Sequence, residues 1–157
     1  MSICVTAFCS IEPLLAVSYS DGVRIFDHNT TLVAPEIKRN NESALSLLWL
    51  PHSFSLLIGW NSGCVTTWCL NRNDESDFRF SCHEILADNS VHGSDVTTLR
   101  VNAGGNLMVS GGSDGICCLW STSKLQLVVA HNNNKDSSIT DIKFWDNTIS
   151  DGVSYIK

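Results

Sequence analysis

The stretch from Leu107 to Trp120 reads LMVSGGSDGICCLW, and its pattern decides the fold class of the chain. Residues on both sides of Ser113-Asp114-Gly115 alternate with a period of two, which is the spacing of β-strands. Asp-Gly between two such runs is a strong signal for the tight turn of a hairpin. The stretch therefore predicts two antiparallel strands joined by a short turn.

Weaker copies of this hairpin occur twice upstream, so we interpret the chain as a repeat array. The turn glycines Gly22, Gly63 and Gly115 are 41 and 52 residues apart. An all-β repeat of about 40 residues with four short strands has the period of a β-propeller blade. We predict an incomplete ring over residues 1–145, with units at 2–42, 43–90 and 91–138, the first strand of a fourth at 139–145, and a short C-terminal tail at 146–157.

The composition of the chain excludes several classes of partner. Its net charge is −6 and Lys and Arg form no cluster, which argues against binding to nucleic acid. Ala44–Trp60 is the most apolar stretch, but Pro51 and His52 interrupt it, so two strands are predicted there instead of a membrane span. The seven cysteines form no Cys-x-x-Cys pair and are typical of buried thiols in a reducing compartment. With no signal peptide evident, we expect a cytoplasmic protein.

The third unit resembles a WD40 repeat. The family pattern has His at the blade entrance, Ser or Thr on the second strand, Asp in the hairpin turn and Trp at the end of the third strand. This sequence has His92, Ser110, Asp114 and Trp120 at those places. The resemblance implies that the four side chains form a buried structural tetrad, and their donors and acceptors can satisfy one another away from water.

The first two units depart from that pattern. The second keeps Gly63 and Trp68, and the first keeps Asp21-Gly22 but ends its third strand with Phe26. The remaining departures are Ser62, Ile58 and Asn40 at the Asp, Ser and His places of the second unit, and Val17 at the Ser place of the first. One complete tetrad in three units is typical of degenerate propellers in large scaffold proteins.

A narrower resemblance covers residues 3–145. EPLLAVSYSDGVRIFD, LLIGWNSGCVTTWCLN and VHGSDVTTLRVNAGGNLMVSGGSDGICCLW occur in the order seen in one family. The chain is similar to the N-terminal propeller of the largest subunit of intraflagellar transport complex A. The resemblance implies a non-enzymatic scaffold for retrograde ciliary transport and cilium assembly. It also implies other transport-complex subunits as partners, and a location at the cilium and the ciliary base.

Two patterns could indicate chemistry. Gly111–Gly115 matches the G-x-S-x-G nucleophile elbow, but that motif needs a helix after the turn and a strand is predicted here. Cys82, His83 and His92 could be zinc ligands, but their spacing fits no known site. We therefore expect no catalytic residue, no metal, no cofactor and no small-molecule substrate.

Aromatic and acidic residues offer two further candidate surfaces. The tryptophans repeat at strand positions, which favours core packing, with Trp60 the strongest candidate for an exposed exception. The acidic run at 74–77 is predicted to be a solvated loop between units, although a docking role is also possible for it.

We expect a protein-interaction scaffold. The alternative is a WD40 adaptor in another pathway, such as ubiquitin-ligase substrate recognition or vesicle-coat assembly, and a hydrolase is the weakest hypothesis. Three units leave two sides of the array open, with unpaired edges and apolar surface. We therefore expect the chain to be an N-terminal fragment or a truncated product of a longer scaffold.

Overall fold

The structure, a computed structural model, describes residues 5–73, 78–88, 91–132, 137–147 and 150–156. Cys4 and the acidic run at 74–77 lie outside the described residues, as does the side chain of Trp145. In the described part of the chain every regular element is a strand, and no helix is present that could cross a membrane. The strands are β1 (Thr6–Phe8), β2 (Leu15–Tyr19), β3 (Gly22–Phe26), β4 (Ala44–Trp49), β5 (Ser55–Trp60), β6 (Val65–Arg72), β7 (Phe80–Asp88), β8 (Val96–Val101), β9 (Leu107–Gly112), β10 (Ile116–Ser121), β11 (Gln126–Asn132), β12 (Asp141–Asn147) and β13 (Ser150–Ile156).

The strands form four antiparallel sheets in chain order. Sheet 1 is β1-β2-β3, sheet 2 is β4-β5-β6-β7, sheet 3 is β8-β9-β10-β11 and sheet 4 is β12-β13. Each strand pairs with the next one along the chain, so every sheet is a meander. The predicted hairpin is β9-β10, in which Ser110 pairs with Cys118 and Met108 pairs with Trp120. The all-β class and the open, incomplete array are confirmed.

The first unit was predicted to hold four strands, and its fourth strand is reduced to two isolated bridges. Val23 pairs with Ile37, and Phe26 pairs with Leu32. Thr30 has φ of 60°, which turns the chain, and Pro35 between the two bridges has no N–H to donate. Sheet 1 therefore has three strands instead of four.

The segment predicted to be a tail contains a strand. β13 pairs with β12 from Asn147↔Ser150 to Asp141↔Ile156, so the fourth unit holds a hairpin where one strand was predicted. Val153 and Tyr155 alternate with Gly152 and Ser154, which is a strand pattern too short and polar to stand out from the sequence alone.

The sheets pack face to face in series, with the first strand of each beside the first strand of the next. β1 lies against β4, β4 against β8 and β8 against β12. Ser46 Oγ donates to the Val96 carbonyl over 2.9 Å, which joins the first strands of sheets 2 and 3. Three apolar clusters fill the spaces between successive sheets, so the core of the molecule lies between sheets.

Candidate functional site

The side chains of His92, Ser110 and Trp120 form a chain of hydrogen bonds between the linker to sheet 3 and its middle strands. Trp120 Nε1–H donates to Ser110 Oγ over 2.8 Å, and Ser110 Oγ lies 2.7 Å from His92 Nε2. An indole N–H can only donate, so Ser110 Oγ accepts from Trp120, and its hydroxyl can donate to His92 Nε2 when that nitrogen carries no proton. In that arrangement the imidazole is neutral and its proton is on Nδ1, on the side of Asp114.

Asp114 lies on the other side of His92 and completes the set of hydrogen-bonded side chains that we name the His92 ring (His92, Ser110, Asp114 and Trp120). Its Oδ1 lies 3.4 Å from His92 Nδ1 and accepts the Ile116 N–H over 3.0 Å. Its Oδ2 accepts the Gly93 N–H over 2.8 Å. One carboxylate thus joins the turn between β9 and β10 to the linker before β8. The structure brings His92, Ser110, Asp114 and Trp120 together, while their contribution to stability stays a prediction.

The imidazole of His92 is shielded from solvent, with a side-chain exposure of 0%. Burial lowers its pKa from the usual 6.5, and the nearby Asp114 carboxylate opposes that shift without cancelling it. Burial therefore favours the neutral imidazole, which can accept the Ser110 hydroxyl proton at Nε2.

Ser110, His92 and Asp114 are connected in the order of a hydrolase triad, but the serine is buried and already hydrogen-bonded. Ser110 is 0% exposed, and its oxygen already accepts the Trp120 indole N–H. A substrate carbonyl could not reach that oxygen without opening the sheet. Ser113, the serine of the G-x-S-x-G match, lies in the β9–β10 turn, where its hydroxyl is 2.8 Å from Ser94 Oγ.

In sheet 2 the hydroxyl that accepts the tryptophan N–H is on a different strand from the one that carries Ser110 in sheet 3. Ile58 occupies the place of Ser110, and the hydroxyl comes from Thr66, the residue that pairs with Ile58 across the sheet. Thr66 Oγ1 accepts the indole N–H of Trp60 over 2.8 Å and that of Trp68 over 3.0 Å. Sequence reasoning missed Thr66 because the acceptor has moved from the second strand to the third.

The expectation for Trp60 as an exposed aromatic is wrong. Its side chain is 0% exposed and packs in the cluster between sheets 1 and 2. Trp49 and Trp120 are 5% and 1% exposed, so they are core residues as the repeat pattern predicted. Arg39 also lies over Trp60, with the guanidinium carbon 5.8 Å from the ring centroid.

Asn40 was predicted at the position that His92 has in the third unit. In the structure, Arg39 and not Asn40 lies at that entrance of sheet 2. Asn40 is exposed, whereas the Arg39 guanidinium donates to Cys64 Sγ over 3.2 Å and pairs with Glu42 over 3.1 Å. Burial raises the pKa of the Cys64 thiol to about 11. The thiol is therefore protonated at neutral pH and acts as part of the packing.

In sheet 1 the turn aspartate is on the surface. Asp21 pairs with Arg24 over 2.8 Å, and Lys38 is 3.9 Å away. Both Arg24 and Lys38 also pair with Glu36, and the hydrogen bond from Lys38 is the main reason that the pKa of Glu36 is lowered. In sheet 1 the turn aspartate thus takes part in a surface network of charges, whereas the turn aspartate of sheet 3 belongs to the buried ring.

The turns between second and third strands and the linkers between sheets lie side by side along one edge, which we name the turn edge (residues 20–22, 37–43, 61–63, 91–95 and 113–115). The Asn61 N–H donates to the Ser43 carbonyl, and the Ser113 N–H donates to the Asp95 carbonyl. Gly63 has φ of +85°, and a Cβ there would come within 2.2 Å of the His92 carbonyl oxygen. The loops of the three sheets are thus in direct contact. The turn of sheet 1 at 20–21 and the linker to sheet 2 at 38–43 line a polar cleft of about 470 Å³.

The residues considered as zinc ligands do not converge. Cys82 and His83 are neighbours on β7, so their side chains leave opposite faces of the strand, while His92 is bound to Ser110. Burial raises the pKa of Cys82 to about 12. Among the described residues no group of three His, Cys, Asp or Glu side chains is placed to hold a metal ion.

No family model matches the chain. Among solved structures, a chain of the crystal structure of the mitotic checkpoint complex superposes with a TM-score of 0.72 over 92% of this chain, at 18% sequence identity. The matched part of that solved chain is a WD40 propeller. The fold is an open segment of a WD40-type β-propeller. Each of the four sheets is one blade of this segment, complete or partial, and the segment spans 41% of the length of the solved chain.

Within this propeller segment, the four residues predicted from the sequence lie beneath the turn edge, which the sequence analysis did not predict. Asp114 and Gly93 connect the two, because the Asp114 carboxylate fixes the linker and the turn at once. The ring therefore fixes the linker before sheet 3 relative to the β9–β10 turn of the same sheet.

Proposed function

We propose that the chain is a non-enzymatic protein-interaction scaffold that binds a protein partner across the turn edge. The observation that carries this proposal is the continuity of the turn edge over three sheets. Loops held by hydrogen bonds to one another form a surface fixed before binding, so little conformational entropy is lost when a partner docks.

The charges of the turn edge fit a protein partner. Asp21 and Lys38 are 52% and 53% exposed at the side chain, and they border the polar cleft. Interspersed positive and negative groups on a fixed surface favour a partner of complementary pattern and reject others.

We further propose that the scaffold serves intraflagellar transport complex A, in the cytoplasm and at the cilium and ciliary base. The support for this assignment is the order of the three sequence runs described above, which is similar to that of the N-terminal propeller of the largest subunit. Retrograde transport and cilium assembly would then be the processes it serves, with other subunits of the complex as its partners. The alternative remains a WD40 adaptor in another pathway.

The test is purification of the tagged chain from ciliated cells, followed by identification of bound proteins. We expect subunits of intraflagellar transport complex A, and a loss of at least about tenfold for Lys38→Glu, which places a third carboxylate beside Asp21 and Glu36. Lys124→Glu is the matched control, because Lys124 is exposed and lies outside the turn edge.

Three outcomes would decide between the proposals. Recovery of another complex, still sensitive to Lys38→Glu, would replace the ciliary assignment with the adaptor alternative. Equal recovery by Lys38→Glu and the parent would contradict binding at the turn edge. Absence of any stoichiometric partner would contradict the scaffold function.

A further inference from the structure

β11 is the outer strand of sheet 3, and among the described strands it pairs on one side only, with β10. In a paired strand, alternate residues direct their N–H and C=O groups away from the neighbouring strand. β11 therefore presents a row of backbone donors and acceptors along its outer side, which we name the β11 edge (Gln126–Asn132). A cover over either face of sheet 3 would leave this edge open, because the row points sideways in the plane of the sheet.

The β11 edge lacks the charges that commonly keep an outer strand from pairing with another chain. The strand reads QLVVAHN and contains no Asp, Glu, Lys or Arg. All seven residues are exposed, and the exposed fractions of Leu127, Val128 and Val129 are 37%, 57% and 54%. Valine is favoured in paired strands, because its branched side chain packs against a neighbour across the strands. The composition of β11 therefore favours the addition of a further strand.

The outer strand of sheet 2 provides an internal comparison, because the register aligns β7 with β11. One residue in each strand has no Cα partner, at a bulge: Ile85 on β7 and Val128 on β11. Glu84 precedes the first of these and Leu127 precedes the second, so Glu84 and Leu127 also correspond. The two strands thus share their geometry and differ in their side chains.

β7 is protected by contacts within the chain. The Glu84 carboxylate pairs with the Arg39 guanidinium over 3.4 Å, which places charges beside the middle of the strand. The Phe80 N–H at the start of β7 donates to the Val33 carbonyl over 2.9 Å. In β11 the corresponding residue to Glu84 is the apolar Leu127. The open, neutral edge is therefore a property of β11 and is not shared by the outer strand of sheet 2.

We propose that the β11 edge binds an extended segment of another protein, which joins sheet 3 as a fifth strand and places uncharged, β-branched side chains beside residues 127–129. A row of backbone groups selects an extended segment, because only such a segment repeats its donors and acceptors at the same spacing. The apolar composition selects the side chains, since a charge placed there would lose water without gaining a partner of opposite sign. This edge is separate from the turn edge, so the inference does not rest on the proposed function.

A second copy of the chain is the alternative occupant, and two features disfavour it. Each copy carries a net charge of −6, so two copies repel one another. The pairing of one strand with one strand is also a small interface beside the total of about 1,200 Å² or more that stable complexes bury. A flexible segment of another protein avoids both difficulties.

The test is hydrogen–deuterium exchange of the full chain with a saturating peptide of alternating Thr and Val, acetylated, amidated and as long as β11. We expect the outward amides of β11 to exchange at least about tenfold more slowly with the peptide, and those of β7 to be unchanged. The same peptide methylated at every backbone nitrogen keeps its side chains but has no N–H to donate. It should give no protection.

Val128→Lys should weaken binding of the Thr-Val peptide at least about tenfold, because a lysine at an edge opposes pairing. Ile85→Lys is the matched control, since it places the same charge at the corresponding residue of β7, and it should leave binding unchanged. Both positions are exposed, so neither substitution disturbs the core. Lys38→Glu should also leave peptide binding unchanged, which distinguishes failure here from failure at the turn edge.

Four results would overturn the proposal: no protection of β11 by the peptide, equal protection of β7, equal protection by the methylated peptide, or equal binding by Val128→Lys and the parent. Sedimentation of the chain alone supplies the remaining outcome. A parent at twice 17.2 kDa that becomes monomeric with Val128→Lys would identify a second copy as the occupant, which also overturns the proposal.

Discussion

At the residue scale, the buried ring of sheet 3 shows why four polar side chains are tolerated in an apolar interior. Each bonding group of His92, Ser110 and Trp120 has a partner within the ring, and Asp114 adds two backbone N–H groups. Removing one member leaves the others buried without a partner. That penalty exceeds the modest net gain from forming a hydrogen bond.

Asp114→Ala should therefore destabilise the chain by about 1–3 kcal/mol in denaturant titration. Asp21→Ala is the matched control, because Asp21 is the turn aspartate of sheet 1 but is half exposed and paired only with surface cations. Its cost should stay below about 1 kcal/mol. Equal midpoints for Asp114→Ala and the parent would contradict the role given to the ring.

His92 makes stability depend on pH in a predictable direction. Its pKa is lowered by folding, so the folded state disfavours the proton that the unfolded chain accepts near pH 6.5. The contribution is fully present above pH 6.5 and is lost as the pH falls below it, by up to about 1.4 kcal/mol per pH unit.

Denaturant titrations at pH 7.5 and 5.5 would measure this dependence. His92→Gln should show a lower stability at pH 7.5 and a smaller loss on acidification than the parent. His83→Gln, on β7 and outside the ring, serves as the control substitution. A parent chain that is as stable at pH 5.5 as at pH 7.5 would refute the assignment.

Residues of the unit that carries the complete motif could be predicted from the sequence. Residues that take the same role at other positions of a degenerate unit could not. The resemblance to a WD40 repeat placed His92, Ser110, Asp114 and Trp120 on one hairpin and the linker before it. Thr66 and Arg39 could not be placed, because their roles arise from packing across strands and sheets that spacing does not encode. The physical signal for Thr66 was the missing partner of Trp68, whose partly buried N–H needs an acceptor.

At the element scale, Thr66 on β6 accepts hydrogen bonds from two indole N–H groups with one hydroxyl oxygen. Thr66→Val keeps the shape of the side chain but removes that hydroxyl, so two partly or fully buried donors lose their acceptor. We expect a cost of about 2–4 kcal/mol from thermal or denaturant unfolding. Thr66→Ser retains the hydroxyl and should cost less than half as much, whereas equal effects of both variants would attribute the loss to packing.

Element boundaries show which local signals decide a strand. Turn residues and alternation located the three complete hairpins. The missing outer strand of sheet 1 reflects the turn at Thr30 and the proline at Pro35, which together prevent a continuous ladder. β13 was missed because its alternation is weak, and its place depends on pairing with β12.

At the scale of the whole molecule, each interior sheet is stabilised by its neighbours. β5 and β9 are middle strands with five of six residues buried. β11 is an outer strand with all seven residues exposed. Protection of the backbone should therefore follow the position of a strand within the stack, and not only its pairing.

Hydrogen–deuterium exchange of the full chain, resolved by peptide, measures this most directly. Our account of sheets stacked in series as a propeller segment predicts that β5 and β9, the second strands of the interior sheets 2 and 3, exchange at least about tenfold more slowly than β2, the middle strand of the end sheet 1. Exchange in β2 as slow as in β5 and β9 would contradict the stacking of the sheets.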